Sequence, residues 1–230
     1  MEPVPAYPAR ILLHSPRALA VIDRIRKIWI PCLMTNATDP SLESGIRPAA
    51  GAQAMPPVLA IAGWSGAGKT TLLTVVIPLL RSAGIRVALV KHAHHRFDVD
   101  HPGKDSFRLR KAGADQVLLT SGRRFALMVE RPAERDPVLQ EELRRIDWQA
   151  CDLILVEGFR DGQIPKLEVH RPLLGRPLLA ATDPHILGIA TDTPAEIHTG
   201  LPVLDLNAPE GIVRFILSAT GLTRAADTLP

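Results

Sequence analysis

The chain of 230 residues carries 27 basic and 24 acidic side chains, for a net charge of +3, and 46% of its residues are hydrophobic. This supplies enough apolar material for one α/β domain, while the dispersed and nearly balanced charge argues against a nucleic-acid-binding surface. Its two cysteines, Cys32 and Cys151, lack metal-ligand spacing, and the apolar runs are too short to span a membrane. We therefore expect a cytoplasmic protein without a membrane span.

Residues 1–54 are expected to form an N-terminal extension, because prolines recur through them and no strand pattern appears. Part of the extension has apolar residues on one helical face and basic residues largely elsewhere, which predicts a short basic amphipathic helix. The apolar residues of that face are Leu19, Ile22, Ile25, Ile28 and Trp29. Residues 55–222 are assigned to the main domain and residues 223–230 to a C-terminal tail.

The main domain opens on a short apolar run, residues 58–62, which predicts a buried parallel strand. A helical pattern occupies residues 70–82, where Pro78 predicts a kink or an early end. Between them, residues 63–71 read Gly-Trp-Ser-Gly-Ala-Gly-Lys-Thr-Thr and fit the Gly-x-x-x-x-Gly-Lys-Ser/Thr phosphate loop at every fixed position. This order of strand, loop and helix predicts a binding site for a nucleoside triphosphate.

Strand-like runs and helical patterns alternate through the rest of the domain. Further strands are expected at residues 87–90, 116–119, 153–156, 186–190 and 203–206, and helices at residues 136–146 and 209–219. Residues 125–130 are expected to pair with the preceding strand as a hairpin. The pattern predicts a P-loop NTPase-like, three-layer α/β fold with a mostly parallel sheet and an added antiparallel hairpin.

The glycines of the phosphate loop let backbone N–H groups converge on phosphate oxygens, and the positive end of the following helix adds a favourable field. Lys69 is expected to reach the β- and γ-phosphates, Thr70 to offer its hydroxyl to Mg²⁺, and Thr71 to support the next phosphate inward. The expected nucleotide-binding residues of the loop are Gly63, Ser65, Gly66, Ala67, Gly68, Lys69, Thr70 and Thr71.

Polar residues that directly follow apolar runs are the next candidates, because ligands bind beyond the carboxyl ends of the strands in open α/β sheets. Three such places hold Lys91-His92, Glu157-Gly158 and Thr182-Asp183, and Thr191-Asp192 is similar. A P-loop NTPase needs a carboxylate at the end of a neighbouring strand to hold Mg²⁺, and Glu157 is the best-placed acid. The expected catalytic residues are Lys69, Thr70 and Glu157.

Residues 91–106 are polar, rich in histidine and longer than a minimal crossover. They fit a mobile loop that senses the γ-phosphate, with Lys91 at the nucleotide and Asp98 or Asp100 near Mg²⁺. The four histidines at positions 92, 94, 95 and 101 also suit a transition-metal site, or hydrogen bonds to phosphates or to an acidic partner. Lys166 is a second phosphate or partner contact, or a solvated strand lysine.

The motifs leave the nucleotide base open. An aspartate can accept hydrogen bonds from both N1–H and the exocyclic amine of guanine, whereas adenine offers no matching pair. Asp183 and Asp192 are the two candidates for this contact. The Asn-Lys-x-Asp guanine signature is absent, so residue chemistry alone predicts an NTPase of unknown base.

Taken together, these motifs resemble the MobB family, the molybdopterin-guanine dinucleotide biosynthesis adaptor proteins, from about Val58 to Leu217. The most selective part is Asp-Val-Asp-His-Pro-Gly-Lys-Asp-Ser at residues 98–106, followed by Arg-Lys-Ala-Gly-Ala at residues 110–114. The phosphate loop, Val-Lys-His at residues 90–92 and Val-Glu-Gly-Phe at residues 156–159 also match.

The resemblance implies a homodimeric P-loop protein that binds GTP with Mg²⁺ and has weak GTPase activity. It implies action beside the MobA guanylyltransferase, which joins GMP to molybdopterin, and contact with the molybdopterin intermediate suits an adaptor. The sequence offers no separate nucleotidyltransferase domain, so guanylyl transfer is not expected of this chain.

Two other functions are compatible with the same motifs. Val-Glu-Gly after a strand also occurs in P-loop enzymes that phosphorylate a bound acceptor, such as dethiobiotin synthetase, and in that case Lys91 and His92 would meet a carboxylate-bearing substrate. The other function is a non-hydrolysing switch that docks partners only when a nucleotide is bound.

Overall fold

The computed structural model describes residues 54–93 and 99–222. The amphipathic helix of the extension, the residues 94–98 and the C-terminal tail lie outside this part of the chain. The described strands are β1 Val58–Ala62, β2 Val87–Lys91, β3 Gln116–Thr120, β4 Phe125–Val129, β5 Leu153–Glu157, β6 Lys166–His170, β7 Ile186–Thr191 and β8 Val203–Asp205. The helices are α1 Lys69–Ser82, α2 Asp105–Lys111, α3 Leu139–Leu143 and α4 Pro209–Ala219.

Six strands form one parallel sheet in the order β2-β5-β1-β6-β7-β8, while β3 and β4 form a separate antiparallel pair. The predicted α/β fold and its antiparallel hairpin are confirmed. Since β1 lies between β5 and β6, the carboxyl ends of these three strands are neighbours. The segment after β1, which contains the phosphate loop, therefore emerges beside the residues that follow β5 and β6.

The parallel sheet is covered on both faces, as its nearly continuous apolar strands require. In β1, Leu59 and Ile61 pack on one face with the buried side chains of α1 and α4, whereas Val58 and Ala60 pack on the other with α3. This alternation buries the whole of β1 and yields the expected three layers. A rigid strand thus supports the start of the phosphate loop.

Helix α1 runs through Pro78 to Ser82, so the prediction of an early helix end is wrong. Proline removes one backbone donor, but Val76 and Leu80 on either side of it are buried in the core. The hydroxyl of Ser82 also donates to the carbonyl of Pro78 at 3.0 Å. Core packing of one apolar face, which supplies most helix stability in proteins, outweighs the missing bond.

The β3–β4 hairpin differs from the parallel sheet because its apolar side chains are exposed. The pairs Leu118–Leu127 and Thr120–Phe125 place Leu118, Phe125 and Leu127 on one face, where they are 60%, 75% and 53% exposed. Arg110 of α2 binds Glu130 at 2.9 Å and fixes one end of the hairpin.

None of the helices in residues 54–93 and 99–222 combines the length and the apolar character that a membrane span requires.

Candidate functional site

The phosphate loop depends on glycine at its first position. Gly63 has φ of +143°, and a Cβ there would lie 2.4 Å from the carbonyl oxygen of Val169 in β6. Gly66 and Gly68 also have positive φ, at +80° and +97°. Side chains rarely adopt such backbone, so these glycines fix the path of the loop up to the first turn of α1, where backbone N–H groups are free of helix partners.

Lys69 folds back onto its own loop. Its ammonium donates to the carbonyl oxygens of Gly63 at 3.0 Å and Trp64 at 2.9 Å. Burial lowers the pKa of Lys69, and nearby Lys91 adds to this effect, while Glu157 opposes it. An ammonium has three donors, so one N–H is left for a phosphate oxygen without breaking either contact.

Three of the predicted residues meet at the end of the sheet. Thr70 donates through its hydroxyl to Glu157 Oε1 at 2.7 Å, and Lys91 Nζ lies 3.3 Å from Thr70 Oγ1 and 3.2 Å from Glu157 Oε2. Lys91 ends β2 and is the register partner of Glu157, which ends β5. The sheet register therefore brings these side chains together, as the motifs predicted.

The oxygens of Thr70 and Glu157 fit Mg²⁺. This ion prefers hard oxygen ligands, keeps several waters and is commonly held by one or two protein groups together with phosphates. Glu157 is 7% exposed, and its Oε2 has no hydrogen-bond partner although the Lys91 ammonium lies 3.2 Å away. A cationic group already sits against the same two oxygens, which shows that the site is electrostatically suited to positive charge.

The turn after Glu157 is strained. Gly158 has φ of +94°, and Phe159 has φ of +47°, which is uncommon for a large side chain. A Cβ on Gly158 would lie 2.7 Å from the Cβ of His92, whose ring stacks on Phe159 at 4.8 Å. Such strain clusters at functional sites. His92 thus packs against the turn that follows the carboxylate Glu157.

The histidine and aspartate predictions for residues 91–106 have a mixed outcome. Asp100 is buried, accepts a hydrogen bond from Ser106 at 2.8 Å and lies 4.0 Å from Arg110 Nε, so these contacts help to anchor α2. Its role near Mg²⁺ stays a prediction. Asp98 and the histidines at 94 and 95 lie outside the described residues, among which no cluster of three or more His, Cys, Asp or Glu suits a metal.

Asp183 follows the apolar run of residues 178–181, as noted in the sequence, but that run is not a strand. Leu179–Ala181 forms a 3-10 turn, because the buried carboxylate of Glu168 accepts from the backbone N–H groups of Leu179 and Ala180 at 2.8 and 2.9 Å. Asp183 consequently precedes β7 and binds Lys166 at 2.6 Å. Burial alone would raise the pKa of Asp183, but hydrogen bonds from Lys166 and His185 lower it overall. Its contact with nucleotide stays a prediction.

Lys166 is not solvated, which corrects one of the two interpretations of that residue. It is 2% exposed, and its ammonium also donates to the carbonyl oxygen of Arg160 at 2.7 Å. An unpaired charge at this depth would be costly, so the ion pair with Asp183 is required there. The pair ties the turn after β5 to the segment before β7.

Arg171 is a site residue that the sequence reasoning missed. It directly follows β6, and its guanidinium donates from Nε to the carbonyl oxygen of Ala67 at 3.0 Å and from NH1 to Asp192 Oδ2 at 2.5 Å. The preceding residues 166–170 read Lys-Leu-Glu-Val-His, which is not an apolar run, so the sequence pattern did not mark Arg171. Asp192 follows β7, as predicted.

Two guanidinium groups lie over the indole ring of Trp64 in the phosphate loop. Its indole N–H donates to the carbonyl oxygen of Pro177 at 2.8 Å, and the guanidinium groups of Arg160 and Arg176 lie 4.3 and 5.3 Å from the ring centroid. Cation–π attraction of this kind orients both groups. The loop is thus surrounded by positive charge, which suits an anionic ligand.

Comparisons with known proteins identify the family of this chain. A profile described as Molybdopterin guanine dinucleotide synthesis protein B matches residues 58–192. The molybdopterin-guanine dinucleotide biosynthesis adapter protein of Escherichia coli (strain K12) is 48% identical over 164 residues, covering 71% of this chain and 93% of the relative. The protein of the same name from Haemophilus influenzae is 44% identical over 161 residues, covering 70% and 87%.

Solved structures give the same result. The crystal structure of molybdopterin-guanine biosynthesis protein B (mobB) is 29% identical with a TM-score of 0.55, and the match covers 70% of this chain and 98% of that one. Bacillus subtilis MobB, at 23% identity and a TM-score of 0.55 over 71% and 98% of the two chains, shows likeness of fold alone. With its phosphate loop, its sheet order and these relatives, the chain belongs to the MobB family, described as molybdopterin guanine dinucleotide synthesis protein B.

Proposed function

We propose that this protein is a GTP-binding adaptor of molybdopterin guanine dinucleotide biosynthesis, which assists a MobA-type guanylyltransferase in attaching GMP to molybdopterin. Two curated relatives are named as adapter proteins of this biosynthesis. The observation that carries the proposal is the contact of Thr70 with Glu157, 2.7 Å apart, beside a phosphate loop with every glycine in place.

The loop is built to receive a triphosphate. Backbone N–H groups at the start of α1 face the ligand, and the free N–H of Lys69 supplies a charged donor to the β- and γ-phosphates. Thr70 and Glu157 would hold Mg²⁺, which when bound offsets the charge of the bridged phosphate oxygens. Lys91 lies against the same two oxygens and adds a further cation at this end.

Weak GTPase activity is part of the proposal because the family resemblance implies it. Glu157 accepts from Thr70 and lies beside the ammonium of Lys91, which suits a group that holds a cation at the phosphate end. The adaptor would then supply GTP to the guanylyltransferase or hold it for that enzyme.

The β3–β4 hairpin supports the homodimer that the family resemblance implies. A two-stranded hairpin is marginal in water by itself, and an exposed apolar face of this kind marks an association surface. Leu118, Phe125 and Leu127 are the most exposed members of that face, and β3 and β4 pair only with each other in the described chain. The proposed occupant of the face is a second copy of this chain.

The dimer is tested by sedimentation of the full chain over a range of concentrations. Phe125→Glu places a charge on the apolar face and is expected to shift the protein to monomer. Leu173→Glu is the matched control, because Leu173 is 95% exposed in the turn after β6, away from the hairpin. A wild-type monomer, or equal sedimentation of wild type and Phe125→Glu, would contradict a dimer through this face.

The adaptor function is tested by reconstitution with a MobA-type guanylyltransferase, molybdopterin, GTP and Mg²⁺. Adding the wild-type protein is expected to increase the rate of dinucleotide formation, since the adaptor presents the nucleotide. Adding Lys69→Ala is expected to give the rate without adaptor, because the mutant lacks the charged phosphate contact. Equal rates with wild type and with Lys69→Ala would overturn the proposal, as would phosphate transfer to an acceptor other than water.

A further inference from the structure

We propose that Asp192 reads the guanine base of the bound nucleotide and that Arg171 joins this base site to the phosphate loop. The inference rests on the proposed function, because it places a triphosphate in the loop. It adds the group that decides between guanine and adenine, which the phosphate-loop motif cannot supply.

Asp192 lies at the edge of the sheet from which the phosphate loop emerges. Asp192 directly follows β7, and in the sheet β7 pairs with β6, which pairs with β1, the strand that carries the phosphate loop. Thr71 lies at the inner end of the loop, so the ribose and base extend past it. A cavity of about 70 Å³ opens there, bounded by Gly68, Thr71, Arg171 and Leu206.

The end of β8 closes the same region. Leu206 donates its backbone N–H to the carbonyl oxygen of Thr191 at 2.9 Å, which holds the segment after β8 beside the segment after β7. Ligands of open α/β sheets occupy the crevice formed by such carboxyl ends. Asp192 therefore lies next to this crevice and is joined to it through Arg171, which lines the cavity.

The carboxylate of Asp192 has only one of its two oxygens in a hydrogen bond. Its Oδ2 accepts from Arg171, whereas its Oδ1 is buried and has no hydrogen-bond partner, as is also true of Thr193 Oγ1. A carboxylate offers about four acceptor positions, and Arg171 uses one of them. The Asp192 side chain is 29% exposed, and the proposal assigns its unused acceptor positions to the base.

The carboxylate acceptors of Asp192 would distinguish guanine from adenine. Guanine offers N1–H and an N2 amine on one edge, and both can donate to one carboxylate. Adenine presents the lone pair of N1 at the corresponding place, which would face a negative oxygen and leave it unpaired. Rejection of a ligand that leaves a buried polar group unsatisfied is stronger than rejection by shape alone.

Arg171 is a positioning residue that links base and phosphates. Its planar guanidinium spans from Asp192 Oδ2 to the carbonyl oxygen of Ala67 inside the phosphate loop. Because the guanidinium is a rigid fork, this one group sets the position of Asp192 relative to the phosphate loop. Lysine has the charge but cannot make both contacts in this geometry.

Asp136 supplies a matched control for the substitution. It is exposed in the segment between β4 and α3, outside the parallel sheet. Asp183 does not serve this purpose, because its exchange would leave the buried ammonium of Lys166 without its ion pair.

The experiment measures Mg²⁺-dependent binding of GTP, inosine triphosphate and xanthosine triphosphate to wild type, Asp192→Asn and Asp136→Asn. Inosine triphosphate lacks the N2 amine and is expected to bind wild type about 10-fold more weakly than GTP, since one charge-assisted hydrogen bond is lost. Asp192→Asn is expected to lose GTP affinity about 10- to 100-fold and to gain affinity for xanthosine triphosphate, whose O2 accepts from the amide of the asparagine. Asp136→Asn is expected to keep the wild-type preference.

Arg171→Lys separates the two parts of the inference. It is expected to lower the ratio of GTP to inosine triphosphate affinity while leaving binding of inorganic triphosphate within about 3-fold of wild type, because phosphate contacts persist. The inference is overturned if wild type binds GTP and inosine triphosphate equally, or if Asp192→Asn keeps the wild-type order of the three nucleotides. A wild type that binds no GTP would instead overturn the proposed function.

Discussion

The phosphate end and the base end of the candidate site are built in different ways. The phosphate end takes most of its groups from one continuous stretch, residues 63–71, with Glu157 and Lys91 added from neighbouring strands. The proposed base end is assembled from residues that follow different strands, namely Arg171 after β6, Asp192 after β7 and Leu206 after β8. The phosphate end can be recognised in a sequence because most of its residues are contiguous. The base end comes together only after the sheet has formed.

The two ends also differ in what holds them. Backbone conformation fixes the phosphate end, through the positive φ angles of Gly63 and Gly68. An ion pair between Arg171 and Asp192 holds the base end. Substitutions at the phosphate end should lower the affinity for every nucleotide alike. Substitutions at the base end should change which nucleotide binds most tightly.

The largest effect is expected from Gly63→Ala. A Cβ there would lie 2.4 Å from the carbonyl oxygen of Val169 at a φ of +143°, so the loop must shift. Strain of about 1–3 kcal/mol corresponds to a loss of roughly 5- to 150-fold in triphosphate affinity. Titration calorimetry with GTP and with inorganic triphosphate checks this, and both should weaken equally.

Gly122→Ala is the control for that substitution, because Gly122 lies in the hairpin turn with open space where its Cβ would stand. It should bind as wild type does. If Gly63→Ala weakened GTP while inorganic triphosphate kept its affinity, the division between a phosphate end and a base end would fail.

A smaller effect is expected from Glu157→Gln. The amide keeps the shape but removes the charge that faces Thr70 and Lys91, so the Mg²⁺ concentration needed for half-maximal GTP binding should rise about 10- to 100-fold. Preference for guanine should be unchanged, since Asp192 is untouched. The measurement is GTP binding across a Mg²⁺ titration, with Glu196→Gln as an exposed control. An unchanged Mg²⁺ requirement would exclude Glu157 from the metal site.

The smallest effect is a pH dependence of binding through Lys69. Burial lowers its pKa in the free protein, and a bound triphosphate would raise it through its negative charge. Binding is then fully supported below the free-state pKa of Lys69 and weakens as pH rises through the bound-state pKa. Calorimetry in two buffers of different ionisation enthalpy should show proton uptake on the alkaline side, whereas proton release there would contradict the account.

Much of the fold follows from the sequence, since apolar runs of the right length predicted β1, β5 and β7 and alternation with helical patterns predicted the parallel sheet. Residues 178–181 show where this fails: they are apolar like a strand, but the buried carboxylate of Glu168 turns their backbone into a 3-10 turn. A contact between distant residues decided that element, and no local pattern contains it.

The candidate site shows the same limit. Lys69, Thr70 and Glu157 were found from spacing and from their position after a strand, because parallel neighbours end at the same edge. The pairing of Lys166 with Asp183 was not predicted, and it removes one of two similar aspartates from the carboxyl edge of the sheet. The partner of Arg171 likewise depends on the register of β6 with β7, which a single sequence does not reveal.

The most direct test of the central claim is calorimetric titration of the protein with GTP and with ATP in Mg²⁺, repeated with Lys69→Ala. Binding selective for GTP is expected in the wild type, with about 10- to 100-fold weaker binding in the variant, since a charged phosphate contact is removed. Selectivity for ATP, or GTP affinity unaffected by the loss of Lys69, would contradict the claim.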